Sequence, residues 1–250
     1  LADLIDNSIR AEAKKVSIHF GPVERDVVVR IRDDGMGMDK NELVAAMRPA
    51  SANPENPREL NDLGRFGWGL KSASLSQARV LTVVSWRGSE STAAIWDIDN
   101  LEDWSMELLV GDDALKLLGT PPNSKSGTEV IWSRCDRLLD QDISSTLDEQ
   151  LNEKISHASK QLSLIFHRYL SGDAGNKLAI EMQGYVLKPL DPFMINHPAT
   201  QTIDEDRIKL RGKEEIAVQP FIIPHFSKLT VEEREALGGD EGLVRNQGFY

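Results

Sequence analysis

The chain opens with apolar side chains at intervals of three and four positions, a spacing that predicts an amphipathic helix over 1–13. Two stretches of alternating apolar and polar residues, 16–20 and 27–32, then predict a pair of strands joined by Gly21-Pro22. The second strand leads directly into 33–38, an acidic sequence with two glycines that is typical of a tight turn. The pattern therefore predicts a helix and a hairpin that lead into this turn.

The middle of the chain has the pattern of a sheet with short helices between its strands. Strands are predicted at 79–86, 91–98, 105–110 and 126–132, and helices at 39–47 and 112–118. A long helical pattern over 140–170 has one apolar stripe and is predicted to connect the sheet to the C-terminal part of the chain. Short strands broken by glycine and proline come next, and a helix over 230–237 begins with a capping box. The predicted fold class is α+β, a two-layer α/β sandwich with a mixed sheet and helices on one face, followed by a smaller α+β module.

A loop rich in proline and asparagine, 49–57, is followed by Gly64, Gly67 and Gly69 ahead of a helical pattern. A glycine-rich loop that opens a helix presents unpaired backbone N–H groups and a positive dipole end, which suit a phosphate. Lys71 adds a positive charge. The glycine order G-x-x-G-x-G is the reverse of the dinucleotide fingerprint, and the lysine does not follow a glycine directly as in a P-loop.

Composition limits the possible functions. Of 250 residues, 40% are hydrophobic, which is enough for two domains, and no apolar run approaches the roughly 20 residues of a membrane span. The net charge of -11 disfavours binding to the phosphate backbone of nucleic acids. The single cysteine, Cys135, cannot form an internal disulfide and favours a reducing compartment, so we expect a cytoplasmic location. Because the chain starts at Leu1 within a predicted helix and stops at Tyr250, we expect a piece of a longer protein.

The turn at 33–38 has the residues of an adenine pocket. Asp33 can accept a hydrogen bond from an exocyclic amine, and Met38 can pack its thioether on a purine face. Gly35 and Gly37 let a flat ring lie against the backbone. An ordinary tight turn explains the same residues, whereas a calcium loop is disfavoured because the glycines fall where ligands are needed.

Two further places have candidate chemistry. Asp3 and Asn7 lie one helical turn apart, so their side chains can hold a metal ion and a water, although such a pair is also typical of a solvated helix face. Thr128 lies in a predicted strand, either as an ordinary β-former or as a hydroxyl that reaches Asp33 and a ligand through water.

Taken together, the sequences 3–8, 33–38 and 64–73 resemble the motifs of the GHKL or Bergerat-fold ATPase superfamily. This superfamily includes DNA gyrase B subunits, heat-shock chaperones, MutL, MORC ATPases and sensor histidine kinases, and the MutL, MORC and chaperone branch is the most similar in style. The resemblance covers about 1–134 and implies ATP and Mg²⁺ as ligands. It implies Asn7 as the magnesium ligand and Asp33 as the acceptor for the adenine amine. The other nucleotide contacts that it implies are Gly35, Gly37, Met38, Gly64, Arg65, Phe66, Gly67, Trp68, Gly69, Lys71 and Thr128.

The resemblance also implies a mechanism. Its split-type ATPases usually have glutamate as the general base where this chain has Asp3, which is one methylene shorter, so we expect slow hydrolysis. The loop 49–63 corresponds to an ATP lid whose closure drives a conformational switch relayed to an adjoining module. Two alternatives stay open: a nucleotide-binding regulatory module with little or no hydrolysis, and, with less support, a phosphotransferase of histidine-kinase type.

The implied organisation has three parts. Residues 1–138 form an N-terminally truncated ATP-binding domain, 139–172 a connecting helix, and 173–250 part of a transducer-like module whose γ-phosphate lysine the sequence does not identify. The expected partners are ATP, a second copy in an ATP-dependent homodimer, and a protein client or DNA bound by regions outside this chain. No membrane contact is expected.

Overall fold

The computed structural model describes residues 1–23, 26–48, 69–100, 105–138, 146–209, 215–239 and 247–250.

A mixed sheet of eight strands forms the centre of the described part of the chain. Its strands are β1 (Lys15–Val23), β2 (Asp26–Asp33), β3 (Val80–Arg87), β4 (Glu90–Asp97), β5 (Glu107–Val110), β6 (Ser126–Ser133), β7 (Ala179–Met182) and β8 (Tyr185–Val186). They lie in the order β5-β4-β3-β6-β2-β1-β7-β8. Strands β1 and β7 are parallel, and the other neighbours are antiparallel.

Helices cover one face of this sheet. They are α1 (Ala2–Arg10), α2 (Lys40–Met47), α3 (Gly69–Leu75), α5 (Leu147–Ile165) and α6 (His167–Ser171), while the short α4 (Asp112–Leu115) lies on the other face. Alternation along the strands explains the two faces: Val83 packs in the large core with the helices, and Val84 packs beside Ala114 of α4. The helix starts are encoded locally, since Asp39 caps α2 and Thr146 caps α5, each in a capping box.

The C-terminal part adds two small pairs of strands. Strands β9 (Gln201–Thr202) and β12 (Phe221–Ile222) pair, as do β10 (Asp206–Lys209) and β11 (Glu215–Val218). A 3-10 turn at Phe226–Lys228 precedes α7 (Val231–Ala236), which has the capping box that the sequence predicts. None of the described helices is long and apolar enough to cross a membrane.

The α+β fold class is confirmed. The predicted turn at Gly21-Pro22 is wrong, because both residues pair within β1, opposite Val28 and Val27. Strand β7 covers only Lys15–Ile18 of β1, so Pro22 lies where that edge is open and no N–H is needed. The predicted helix over 140–170 is interrupted at Phe166, where φ is -99° and ψ is 18°.

Strands β7 and β8 come from the predicted second module and extend the sheet of the first. The three-part division of the chain at 138 and 172 stays a prediction.

Candidate functional site

Asp33 lies at the end of β2, where α1 crosses the sheet. The Ser8 hydroxyl of α1 donates a hydrogen bond to Asp33 Oδ2 at 3.1 Å. The backbone N–H of Gly35 donates to Oδ1 at 2.9 Å. Ser8 is itself buried together with Leu4 and Ile5 on the inner face of the helix. The apolar face of α1 thus carries one polar side chain, and that side chain orients the Asp33 carboxylate.

Burial raises the pKa of Asp33 from 3.8 to about 6. Loss of hydration is the largest cause, and the nearby Asp34 charge acts in the same direction. Hydrogen bonds from the Gly35 N–H, the Ser8 hydroxyl and the Thr128 backbone N–H lower the pKa and offset part of this effect. Asp33 is therefore a poorly hydrated carboxylate that is ionised at neutral pH, and a ligand amine is a favourable partner for it.

The turn after Asp33 is packed against the end of α1. Asp34 Oδ1 accepts hydrogen bonds from the backbone N–H groups of Lys14 and Lys15, both at 2.8 Å. A Cβ on Gly35 would lie 2.7 Å from the carbonyl oxygen of Ala11, closer than real Cβ atoms approach. The glycine is therefore needed to let the turn and the helix meet.

Two more glycines allow backbone segments to approach closely near Asp33. Gly37 has φ +67°, and a Cβ there would lie 2.2 Å from the carbonyl oxygen of Trp86. A Cβ on Gly127, at the start of β6, would lie 2.3 Å from the Asp33 carbonyl oxygen. These contacts hold the 33–38 turn against β3 and β6 at backbone-to-backbone distance.

Ser85 of β3 is a site residue that the sequence reasoning missed. Its hydroxyl accepts a hydrogen bond from the Met38 N–H at 2.7 Å and lies 2.9 Å from Thr128 Oγ1. Thr128 is opposite Asp33 in the register of β2 and β6. Ser85 thus links the Met38 backbone to the Thr128 hydroxyl. The available signal was a small polar residue between the apolar Val84 and Trp86 of β3.

Asp3 and Asn7 are exposed on α1. A Cβ on Gly69, the first residue of α3, would lie 3.4 Å from the Cβ of Asp3, so the start of α3 meets α1 beside this carboxylate. Asp6 is partly buried, and its pKa is raised first by desolvation and then by the charge of Asp3. The predicted contacts Gly64, Arg65, Phe66, Gly67 and Trp68, and the predicted lid at 49–63, lie outside the described residues.

The structure places Lys71, a predicted phosphate contact, away from solvent. It is buried, and its ammonium group donates hydrogen bonds to the carbonyl oxygens of Ala46 at 2.9 Å and Arg48 at 2.7 Å. The side chain therefore reaches from the first turn of α3 to the C-terminal end of α2.

A cavity of about 760 Å³ lies on the opposite face of the sheet. Asp33 and Asp34 line one end of it, and its other charged side chains are paired: Arg30 and Arg32 both contact the buried Glu129, and Lys15 contacts Glu181. The arginines also donate to the carbonyl groups of the loop after α4. The two arginines and Glu129 therefore fix that loop to the sheet.

Helix α1 offers oxygen atoms of the kind that the magnesium ion implied by the resemblance would need. No group of three histidine, cysteine or acidic side chains suited to a metal occurs among the described residues. Mg²⁺ in nucleotide sites usually has one or two protein oxygens and takes its other ligands from phosphates and water. The exposed amide oxygen of Asn7 and the nearby Asp3 carboxylate are consistent with such a site.

Two comparisons agree with this geometry. Residues 1–118 match the family described as histidine kinase-, DNA gyrase B- and HSP90-like ATPases. ATPase morc-1 of Caenorhabditis elegans is 30% identical over 95 residues, which are 38% of this chain and 11% of that protein. The matched segment holds α1 and the turn at 33–38, and it confirms the resemblance predicted from the motifs. This N-terminal segment, a little under half of the chain, is therefore similar to the GHKL-type ATPase domains.

Proposed function

We propose that the chain binds ATP with Mg²⁺ between α1, the turn at 33–38 and the start of β6, and hydrolyses it slowly. The observation that carries this proposal is the partly buried Asp33 carboxylate, oriented by Ser8 and Gly35 at a strand end where glycines hold the backbone close. An acceptor of this kind favours a ligand that offers an amine and a flat ring.

The base side of the proposed site recognises adenine. Asp33 accepts a hydrogen bond from the exocyclic amine, and the partly buried Met38 packs on the ring. Thr128 contributes its hydroxyl, which Ser85 holds at 2.9 Å, to a water or to the base.

The phosphate side lies along α1. Asn7 supplies an amide oxygen to the ion, which when bound neutralises phosphate charge. Asp3 acts as the general base that takes a proton from the attacking water. Its position beside Gly69, at the end of the glycine-rich loop, supports this role. Aspartate has a shorter reach than glutamate, so turnover is expected to be slow.

Nucleotide binding is proposed to close the loop 49–63 as a lid and to relay the change to an adjoining module. Pairing with a second copy, and contact with a client protein or DNA through regions outside this chain, belong to the same proposal. The regulatory-module alternative keeps ATP binding and omits turnover. A histidine-kinase-type transfer has less support, since His157 and His167 lie on α5 and α6, downstream of the match.

Variants on α1 test the mechanism, with phosphate release and nucleotide affinity measured in the full-length protein. Asp3→Asn should keep ATP affinity and lower turnover by a factor on the order of 100 to 10000, because only the base is lost. Asn7→Ala should instead weaken magnesium-dependent binding. Asp3→Glu should raise turnover if the reach of aspartate limits the reaction. Asp112→Asn, an exposed change on α4, is the matched control and should alter neither quantity.

Each outcome bears on one part of the proposal. Unchanged hydrolysis in Asp3→Asn would remove Asp3 from the mechanism. Tight ATP binding without turnover in the parent would favour the regulatory module. Absence of ATP binding in the parent would contradict the proposed site as a whole.

A further inference from the structure

Lys71 is a buried lysine whose charge contacts no carboxylate within the described part of the chain. The residue is 2% exposed, and within the described part of the chain its ammonium group donates to the backbone carbonyl oxygens of Ala46 and Arg48. Burial lowers the pKa of its amine. Burying an ammonium group is costly, so a lysine kept in this position needs a contact that compensates for its lost hydration.

The two carbonyl oxygens belong to the C-terminal end of α2. The last carbonyls of a helix lack partners within the helix, and the negative end of the helix dipole attracts a cation. The last turn of α2 has no basic residue of its own. Lys71 supplies that cation from α3, although it sits in the first turn of its own helix, where a positive charge is unfavourable.

We propose that Lys71 is a positioning residue that fixes the start of α3 to the end of α2, and thereby sets the place of Gly69 beside Asp3. These two helix ends are the points where the chain leaves and re-enters the described structure on either side of 49–68. The lysine of the glycine-rich motif thus acts on the phosphate side of the site through the backbone. The effect of Lys71 on nucleotide rests on the proposed function, whereas its contact between α3 and α2 does not.

Backbone amide hydrogen exchange in the nucleotide-free, full-length protein tests the contact itself. In Lys71→Met, exchange in 40–48 and in 69–75 should be about tenfold faster or more, because two hydrogen bonds from a charged donor are lost. Lys40→Met removes an exposed lysine from the first turn of α2 and should leave both segments unchanged. If Lys71→Met does not fold, Lys71→Gln is measured in the same way, and Lys71→Arg should restore protection in part.

The ratio of ATP affinity to adenosine affinity separates the possible roles. If Lys71 is a positioning residue, Lys71→Met should show faster exchange together with a fall of about tenfold in this ratio. Adenosine affinity should be kept, because it depends on the Asp33 side of the site, which Lys71 does not contact. Faster exchange with an unchanged ratio would mean a purely structural lysine and would overturn the proposal. Unchanged exchange with a lower ratio would mean direct phosphate contact and would overturn it too. A parent protein that binds neither ligand would count against the proposed function, while the exchange result would still decide the contact between α3 and α2.

Discussion

Replacing Asp33 with asparagine should stabilise the free protein while it weakens ATP binding. The folded state raises the pKa of Asp33 from 3.8 to about 6, mainly through loss of hydration. The folded protein therefore binds this proton more tightly than the unfolded chain does. Asparagine has nearly the same shape and is never charged, so it resembles the protonated aspartate at every pH.

The sign of the pH dependence follows from this difference. Well below pH 3.8 both states are protonated and Asp33 contributes nothing. Between that value and about pH 6 the unfolded chain loses its proton first, so the free energy of unfolding falls as the pH rises. A shift of about two pKa units at 1.36 kcal/mol each gives a penalty of about 3 kcal/mol, complete above the folded-state pKa. The Asp33→Asn variant should avoid this penalty.

Urea unfolding of the parent and Asp33→Asn between pH 4 and 8 measures the effect. The two curves should coincide near pH 4 and separate in favour of the variant by up to about 3 kcal/mol near pH 8. Asp6, whose pKa is also raised, titrates in both proteins and cancels in the difference. Calorimetry should show ATP affinity lowered about tenfold or more. A variant that is less stable at pH 8 by a pH-independent amount would refute the desolvation argument, and equal ATP affinity would refute the adenine pocket.

Two further predictions concern the framework around the site, each with a matched control measured by urea unfolding. Gly37→Ala should lower the free energy of unfolding by about 3 kcal/mol or more, because a Cβ there would lie 2.2 Å from the Trp86 carbonyl oxygen. Its control is Gly88→Ala, where φ is also positive, at +63°, but a Cβ would meet open space, so the loss should be only about 1 kcal/mol. A similar loss in both would refute the close-contact argument. Glu129→Gln should lower the free energy of unfolding by about 3 kcal/mol, because two arginines of β2 would lose their buried partner. Its control, Glu215→Gln, removes one charge of an exposed ion pair and should change the free energy of unfolding little. Equal effects would mean that the buried network does not hold the sheet and the loop after α4 together.

The local features of the site could be predicted from the sequence because short-range rules encode them. Alternation over 27–32 placed Asp33 at a strand end, and the helical spacing of the first residues placed Asp3 and Asn7 one turn apart on one helix. The glycine at 37 does take the positive φ that its turn suggested. These short-range rules predict where each residue lies within its own helix, strand or turn.

The contacts between elements could not be predicted in this way. Ser8 bonds to a residue 25 positions away, and Ser85 lies 43 positions from Thr128, so both depend on how α1, β3 and β6 pack. The parallel pairing of β7 with β1 joins residues more than 160 positions apart. Lys71 shows the same limit, since its motif suggested a phosphate while packing turned it toward α2.

The two sides of the proposed site differ in how the fold constrains them, and this difference bears on how it works. On the base side, Asp33 is partly buried and hydrogen-bonded, and its neighbours meet backbone to backbone, so the acceptor is oriented before any ligand arrives. On the phosphate side, Asp3 and Asn7 are exposed, and their relation to the glycine-rich segment depends on where α3 begins. Preorganised groups favour both binding and catalysis, so each side of the site depends on how firmly its own groups are held. The sheet thus orients Asp33, whereas the place of Asp3 relative to the start of α3 depends on how that helix end is held, which is the role proposed for the buried Lys71.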